Sequence, residues 1–265
     1  MSQTNNVKIS IIIVNYNNAK YLKKSLETTL NQSYRNKEII VIDDMSNDNS
    51  LEVLKNYKKK IKFYVTKKKT KYGSYNQINC YHQGFKKSKG KYIFFLDSDD
   101  YFKNNKVKKV LNYFDKRYAK DIIFDLPILK FKNKIRFNKF VQKKFILSNW
   151  PRFTPQSCIT IERSYAKKIF KMLKIKKFPS IWFDFRIASL SYLLLGKIFI
   201  LEDYLTYYRQ LNNSASKKYK KFSKLWWQRR KEAHDFYSFI SDQLKVKKKV
   251  TLDKMITNLV NLFYK

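Results

Sequence analysis

Cysteine is scarce in this chain: Cys80 and Cys158, with no paired spacing, are all that 265 residues carry. That argues against a disulfide framework and a cysteine metal cluster, and it is expected of a reducing cytoplasm. Glycine and proline number only four each, and no glycine-rich run is present to cradle phosphates. Long apolar runs are missing as well. The stretches Ile187 to Leu195 and Ile198 to Leu201 are parted by Gly196 and Lys197, and neither reaches the roughly 20 residues that span a bilayer. Met1 to Asn6 is polar, without the basic and apolar blocks of a signal peptide. These absences lead to the expectation of a soluble, cytoplasmic protein.

Acid is the scarce charge. The chain has 20 Asp and Glu against 58 Lys and Arg, a formal charge of +38. Such an excess supplies affinity for phosphate-rich partners. Only nine of the basic residues are Arg, however, and the lysines spread along the whole chain. With Asn, Ile, Tyr and Phe abundant, this is the composition an A+T-rich coding sequence produces, so no specific nucleic-acid partner is expected. A general affinity for anionic surfaces, membranes included, fits better.

What is present is enough to build a core. Hydrophobic residues make up 44% and aromatics 17%, which excludes disorder. Strand and helix patterns alternate four times. The strands cover Lys8 to Val14, Glu38 to Ile42, Ile61 to Val65 and Tyr92 to Leu96. The helices cover Ala19 to Asn31, Leu51 to Lys58, Ser74 to Lys89 and Lys103 to Lys116. This alternation predicts an α/β fold, a Rossmann-like, mostly parallel sheet flanked by helices. After Asp121 to Pro127 the pattern loosens, with short mixed-sheet strands at Ile135 to Phe137 and Ser157 to Ile161. A helix over Phe183 to Leu195 and an extended segment from Lys197 to Tyr208 follow. Helical patterns return at Lys217 to Gln243 and Val250 to Tyr264. There is no internal repeat. The chain divides into an α/β domain over 1–212 and a basic, aromatic helical extension over 213–265.

Three predicted strands end in polar groups: Asn15-Tyr16-Asn17, Asp43-Asp44 and Asp97-Ser98-Asp99-Asp100. In a parallel sheet these carboxyl ends share one edge, where open α/β sheets bind ligands. An Asp-x-Asp pair there can hold a hard divalent cation, which in turn clamps a diphosphate. A carboxylate after the second strand is placed to accept hydrogen bonds from a base or ribose. Each cluster has a plainer reading as a turn or a helix cap. Acids at two strand ends of one edge favour a nucleotide diphosphate site.

These segments resemble a known family. Ile9-Ser-Ile-Ile-Ile-Val-Asn-Tyr-Asn-Asn, Leu22 to Leu30, Gln32-Ser33 and Glu38-Ile-Ile-Val-Ile-Asp-Asp-Met-Ser-Asn-Asp are similar to the opening of the family 2 glycosyltransferases. Gly90-Lys-Tyr-Ile-Phe-Phe-Leu-Asp-Ser-Asp-Asp resembles their metal-binding signature, and the likeness extends over about residues 7 to 215. It implies a GT-A fold, a nucleotide-sugar donor and Mn²⁺ or Mg²⁺. Val14, Asn15 and Tyr16 match the first nucleoside-binding turn. Asp44, and secondarily Asp43, match the acids that recognise the nucleobase and its surroundings. Asp99 matches the principal metal ligand, and Asp97 the acid that supports metal or ribose. Asp100 is left to a helix-starting role.

In the second half, Ile181-Trp-Phe-Asp-Phe-Arg-Ile-Ala resembles the family's acidic motif and implies that Asp184 is the general base of an inverting transfer. Alternatively it is a first-turn acid facing the helix dipole. Arg209 falls where the family presents Arg or His near the diphosphate; a structural ion pair is the competing reading. Glu202 and Asp203 are weaker rivals for the base. The chain departs from the family at Tyr81-His82-Gln83-Gly84, where an Arg-Asn-x-Gly run is common, so contacts from that helix are not carried over. His82 either faces the site or, as a lone His more often does, packs or faces solvent. Lys67 to Lys71 form either a phosphate contact or a solvated loop. Trp226-Trp227 beside Arg229-Arg230 suits an interfacial patch on an anionic bilayer, or an aromatic face folded back on the domain.

The expectation is an inverting glycosyltransferase. It moves a sugar, UDP-linked, to a glycan or lipid-linked acceptor in surface polysaccharide synthesis at the cytoplasmic face of the membrane. A nucleotidyltransferase using the same acids and a non-catalytic basic binder are the alternatives.

Overall fold

The structure is a computed structural model that describes residues 6–116, 121–140, 149–173, 177–212, 214, 217–247 and 250–264. The expectation for Met1 to Asn5 lies outside these residues.

The continuous apolar runs of the first half form strands β1 (Ile9–Asn15), β2 (Lys37–Asp43), β3 (Lys62–Val65) and β4 (Tyr92–Asp97). They are joined by helices α1 (Ala19–Leu30), α2 (Ser50–Asn56) and α3 (Gly73–Lys87). All pair in parallel, in the order β3-β2-β1-β4. Alternate side chains of β1 serve two cores. Ile12 and Val14 join α3 on one face, while Ile11 and Ile13 join Leu22 and Leu26 of α1 on the other. Burial on both faces is why these strands read as unbroken apolar runs.

The second half is mixed. It contains β5 (Tyr101–Phe102), α4 (Lys106–Asp115), β6 (Ile122–Lys130), β7 (Ile135–Phe137), a 3-10 turn (Gln156–Cys158) and β8 (Ile159–Glu162). Helices α5 (Arg163–Leu173) and α6 (Phe183–Leu195), strand β9 (Ile200–Arg209), and helices α7 (Lys224–Gln243) and α8 (Leu252–Leu262) complete the chain. β8 pairs antiparallel with both β4 and β6, and β9 runs parallel to β6. The path continues β4-β8-β6-β9-β5, with β7 on the side of β6.

Two glycines have backbone reasons. A Cβ on Gly90 would lie 2.4 Å from the backbone of Ile9 and Ser10, so only glycine lets β4 start against β1. Gly196 ends α6 with φ +71°, a left-handed stop that glycine adopts without strain.

Helix α7 does not stand apart. Ala233, Phe236 and Ile240 sit in the same core as Ile12, Phe95 and Phe183. A fully buried pair lies beneath the second half of the sheet: Lys106 Nζ is 2.7 Å from Asp125 Oδ2. Its ammonium also donates to Thr206 Oγ1 at 2.7 Å and to the Ser157 carbonyl at 2.8 Å.

Candidate active site

The register brings the polar strand ends level, because Asn15 pairs with Asp43 and Val14 with Asp97. They differ in what they face. Asp43 is fully buried; it accepts from Asn15 Nδ2 at 2.7 Å, from the Ser46 amide at 2.8 Å and from Ser46 Oγ at 2.7 Å. Asn15 and Asp43 therefore brace the turn behind the wall of the site. Asp44 lines the cavity beside Val14 and Tyr16. Burial raises its pKa, partly offset by Thr66 Oγ1, which donates to it at 3.1 Å. Lys69 lies 3.4 Å from the centre of the Tyr16 ring, so of the Lys67 to Lys71 run it is the one that lines the cavity. Asn17 and Met45, in the turns after β1 and β2, take positive φ of 49° and 55°, conformations that cost a β-carbon some strain.

After β4, ligand oxygens of Asp97, Asp99 and Asp100 lie within 4.8 Å of one another. Asp97 accepts from Tyr81 Oη at 2.6 Å, from Gln77 Nε2 at 3.3 Å and from Gln156 Nε2. Helix α3 thus reaches the site through Tyr81 and Gln77, although the family's usual run is absent there. Asp100 does not start a helix: α4 begins at Lys106 with Asn105 as its cap residue. It is instead fully buried, accepting from Ser157 Oγ at 2.6 Å and from the Arg209 amide at 2.9 Å. Ser157 Oγ also accepts from the Asp97 amide at 3.1 Å, so one hydroxyl ties two of the acids together. Asp99 takes no side-chain hydrogen bond among the described residues. Burial, then the charge of Asp97, push its pKa up to about 7, with Arg209 pulling the other way.

These residues fit a divalent cation. Hard carboxylate oxygens are the donors Mg²⁺ and Mn²⁺ prefer, and three close acids with raised pKa values are short of positive charge. Asp99 has the most uncommitted oxygens for a ligand role; Asp97, held by three side-chain donors, lines the cavity beside it, whereas Asp100 is fully buried. The guanidinium of Arg209 donates to the Asp99 carbonyl and lies 4.9 and 4.7 Å from the Tyr21 and Tyr101 ring centres. That holds its charge at the cavity edge.

Asp184 is in the first turn of α6. The loop before it is stapled by the buried Arg186, whose guanidinium donates to the carbonyls of Lys177, Phe178 and Ile181. Glu232 of α7 accepts from the Ser180 amide at 3.0 Å. Asp184 accepts from the Phe185 amide at 2.7 Å. Burial pushes its pKa up to about 6; Arg229 lowers it and Asp97 raises it.

One cavity of about 470 Å³ collects Val14, Tyr16, Asp44, Asp97, Asp99, Asp184 and Arg209, a size suited to a small-molecule ligand. It also includes residues that the sequence does not assign to the site: Gln77, Gln156, Trp182, Tyr208 and Arg229, the last read from the sequence as part of the interfacial patch. The Tyr208 phenol is pushed up by burial and by four surrounding acids. His82 packs on the Phe170 ring, with centroids 5.2 Å apart. Asp203 pairs with Lys109 at 2.6 Å, and neither it nor Glu202 lines the cavity. Trp226 and Trp227 are half-buried, packed edge to face on each other and against Phe222.

A parallel sheet that turns mixed after β4, with an Asp-x-Asp at the turning point and helices on both faces, defines a GT-A glycosyltransferase fold. Residues 10–176 match the family model for glycosyl transferase family 2, and the chain belongs to that family. It is 28% identical over 213 residues to an uncharacterised glycosyltransferase of Nostoc sp., covering 77% of this chain and 65% of that one. It is 38% identical over 110 residues to the poly(ribitol-phosphate) β-N-acetylglucosaminyltransferase TarP of Staphylococcus aureus, covering 40% of this chain and 32% of TarP. Both matches take in less than two thirds of the relative's length. Among solved structures, S. aureus TarS 1–349 in complex with UDP-GlcNAc superposes with a TM-score of 0.61 at 19% identity, over 86% of this chain and 66% of that one. Among the described residues, no helix is long and apolar enough to cross a membrane.

Proposed function

We propose that the chain is an inverting, metal-dependent glycosyltransferase. It moves a sugar from a UDP-linked donor to a hydroxyl of a glycan or lipid-linked acceptor, in surface polysaccharide synthesis at the cytoplasmic face of the membrane. The observation that carries this reading is that Asp184 and Asp99 line one cavity from opposite halves of the chain. Asp44, Val14 and Tyr16 hold the nucleoside end, and Arg209 and Lys69 supply positive charge toward the diphosphate. The UDP assignment is supported by the TarS complex with UDP-GlcNAc, and a polymeric, hydroxyl-bearing acceptor by the poly(ribitol-phosphate) in the name of TarP.

In the reaction, the acceptor oxygen bonds to the anomeric carbon while the bond from that carbon to the diphosphate oxygen breaks. The acceptor proton passes to the Asp184 carboxylate, and the nucleoside diphosphate leaves with the electron pair. One base and one displacement invert the anomeric centre. A pKa pushed up to about 6 leaves Asp184 ionised at neutral pH yet basic enough to take a proton. When bound at Asp99 and Asp97, a divalent cation would supply charge for the leaving diphosphate. Tyr81, Gln77 and Gln156 fix Asp97. Trp182, which lines the same cavity, is assigned to the acceptor side.

A thermal-shift screen of nucleoside diphosphates and nucleotide sugars, with and without Mn²⁺, tests this. Stabilisation by UDP that requires Mn²⁺ and is lost in Asp99→Asn is the expected result. No response to any nucleotide would leave a non-catalytic basic binder as the better reading.

A further inference from the structure

Helix α8 is mounted with its polarity reversed. Leu252, Met255, Ile256, Leu259, Leu262 and Phe263 recur at helical spacing and form a single stripe. A surface helix in water normally turns such a stripe toward the core. Here all six side chains are exposed, Phe263 to 81%. The polar side faces the protein instead. Asp253 meets Arg230 at 2.6 Å and His234 at 3.1 Å on α7. Lys254 donates to Ser238 at 2.9 Å, Asn261 Nδ2 donates to the Trp227 carbonyl at 3.1 Å, and Thr257 is buried. These contacts fix which way the helix faces, so the outward stripe is built in. Exposed Phe222 and Leu225 extend the apolar surface at the start of α7, close to where Lys224 approaches the Tyr264 ring at 5.9 Å.

We propose that this face seats the protein on an anionic lipid bilayer. The inference deepens the membrane location within the proposed function and rests on that part of it. Charge selects the occupant. Lys245 and Lys247 are exposed just before α8, and Lys217, Lys218, Lys220, Lys221 and Lys224 precede or open α7. The one acid of α8, Asp253, is turned inward against Arg230 and His234. A stripe of Leu, Met, Ile and Phe with lysines around it suits the headgroup boundary of a negatively charged leaflet. A second copy of the same chain would bring another +38 against it, which opposes pairing by this face. The Trp226-Trp227 pair, for which the sequence leaves open an interfacial patch or an aromatic face folded back on the domain, is half-buried in the first turn of α7, and the proposal gives the interfacial role to α8.

The test is flotation of the full chain with phosphatidylcholine vesicles, with and without phosphatidylglycerol, at low and high salt. A Met255→Glu/Leu259→Glu double variant is measured beside it; both sites are exposed, so the fold is spared. The expected result is binding only to vesicles containing phosphatidylglycerol, weakened about tenfold or more in the double variant. Absence of binding would overturn the proposal, as would equal binding by the double variant, which would mean that lysines alone suffice. Sedimentation showing a concentration-dependent dimer that the double variant abolishes would assign the face to a second copy. Thermal shift with UDP and Mn²⁺ on both proteins reports the sugar-transfer site separately, so failure of one reading is distinguishable from failure of the other.

Discussion

The Tyr81 hydroxyl donates to Asp97 Oδ1 at 2.6 Å, linking the middle of α3 to the first acid of the Asp-x-Asp. The phenol is fully buried, stacked on Phe183 with centroids 4.6 Å apart. A Tyr81→Phe variant keeps the packing and deletes only the donor. We expect a circular dichroism spectrum like the parent's, with transfer reduced about 10- to 100-fold, the range for partners of metal-ligating groups. The Mn²⁺ concentration for half-maximal activity should rise. An unchanged metal requirement would show that Asp97 needs no such support.

As the proposed base, Asp184 is expected to give transfer a pH dependence that Arg229 tunes. A base must be ionised, so activity should fall as pH drops through about 6, the value to which burial pushes Asp184. Arg229 favours the ionised form. Removing its charge in Arg229→Gln should move the acidic limb of the profile to higher pH. Asp184→Asn should cost about 10²- to 10⁴-fold in transfer while UDP binding is retained. Rate profiles of kcat/KM for the three proteins check this, and an acidic limb unmoved by Arg229→Gln would separate it from Asp184.

The buried Lys106–Asp125 pair governs stability. Lys106→Met strands a carboxylate whose pKa burial already raises and Lys106 lowers. Breaking such a pair costs about 3–5 kcal/mol, which for a chain of this size lowers Tm by roughly 6–20 °C. With Lys106 gone, the raised pKa of Asp125 makes the folded state hold its proton more tightly than the unfolded state. The variant should therefore be least stable at neutral pH and recover as pH falls toward the ordinary aspartate range. The double change Lys106→Met/Asp125→Leu should regain much of the loss. Thermal melts across pH measure all three effects.

The sequence is most readable where burial on both faces leaves no ambiguity. β1, β2 and β4 appear as apolar runs, and their polar ends announce the edge of the site. Phe183 to Leu195 and Ile135 to Phe137 also match the observed elements. Helix α5 is harder to see, because lysines dilute the stripe formed by Tyr165, Ala166, Ile169, Phe170 and Leu173. β5 is two residues long and exists only through pairing with β9. Within the site, acids are legible because they are rare in this chain. Gln77, Gln156 and Tyr208 are not, since common polar residues gain a role only from their neighbours. Asp100 shows the limit of spacing. It looks like a helix start, but the Ser157 hydroxyl and the Arg209 amide, both remote in sequence, claim its oxygens.

Helix α7 carries cargo at both ends of its function: Arg229 lines the cavity while Phe236 and Ile240 complete the core. Cutting the chain after residue 212 would therefore leave an open hydrophobic wound on α6 and remove one wall of the cavity. A fragment that keeps both the core and the cavity lining has to include α7 at least as far as Ile240. Helix α8, held to α7 largely by polar contacts and an ion pair, supplies no residue to the core clusters or the cavity, so it can be trimmed or exchanged without rebuilding either.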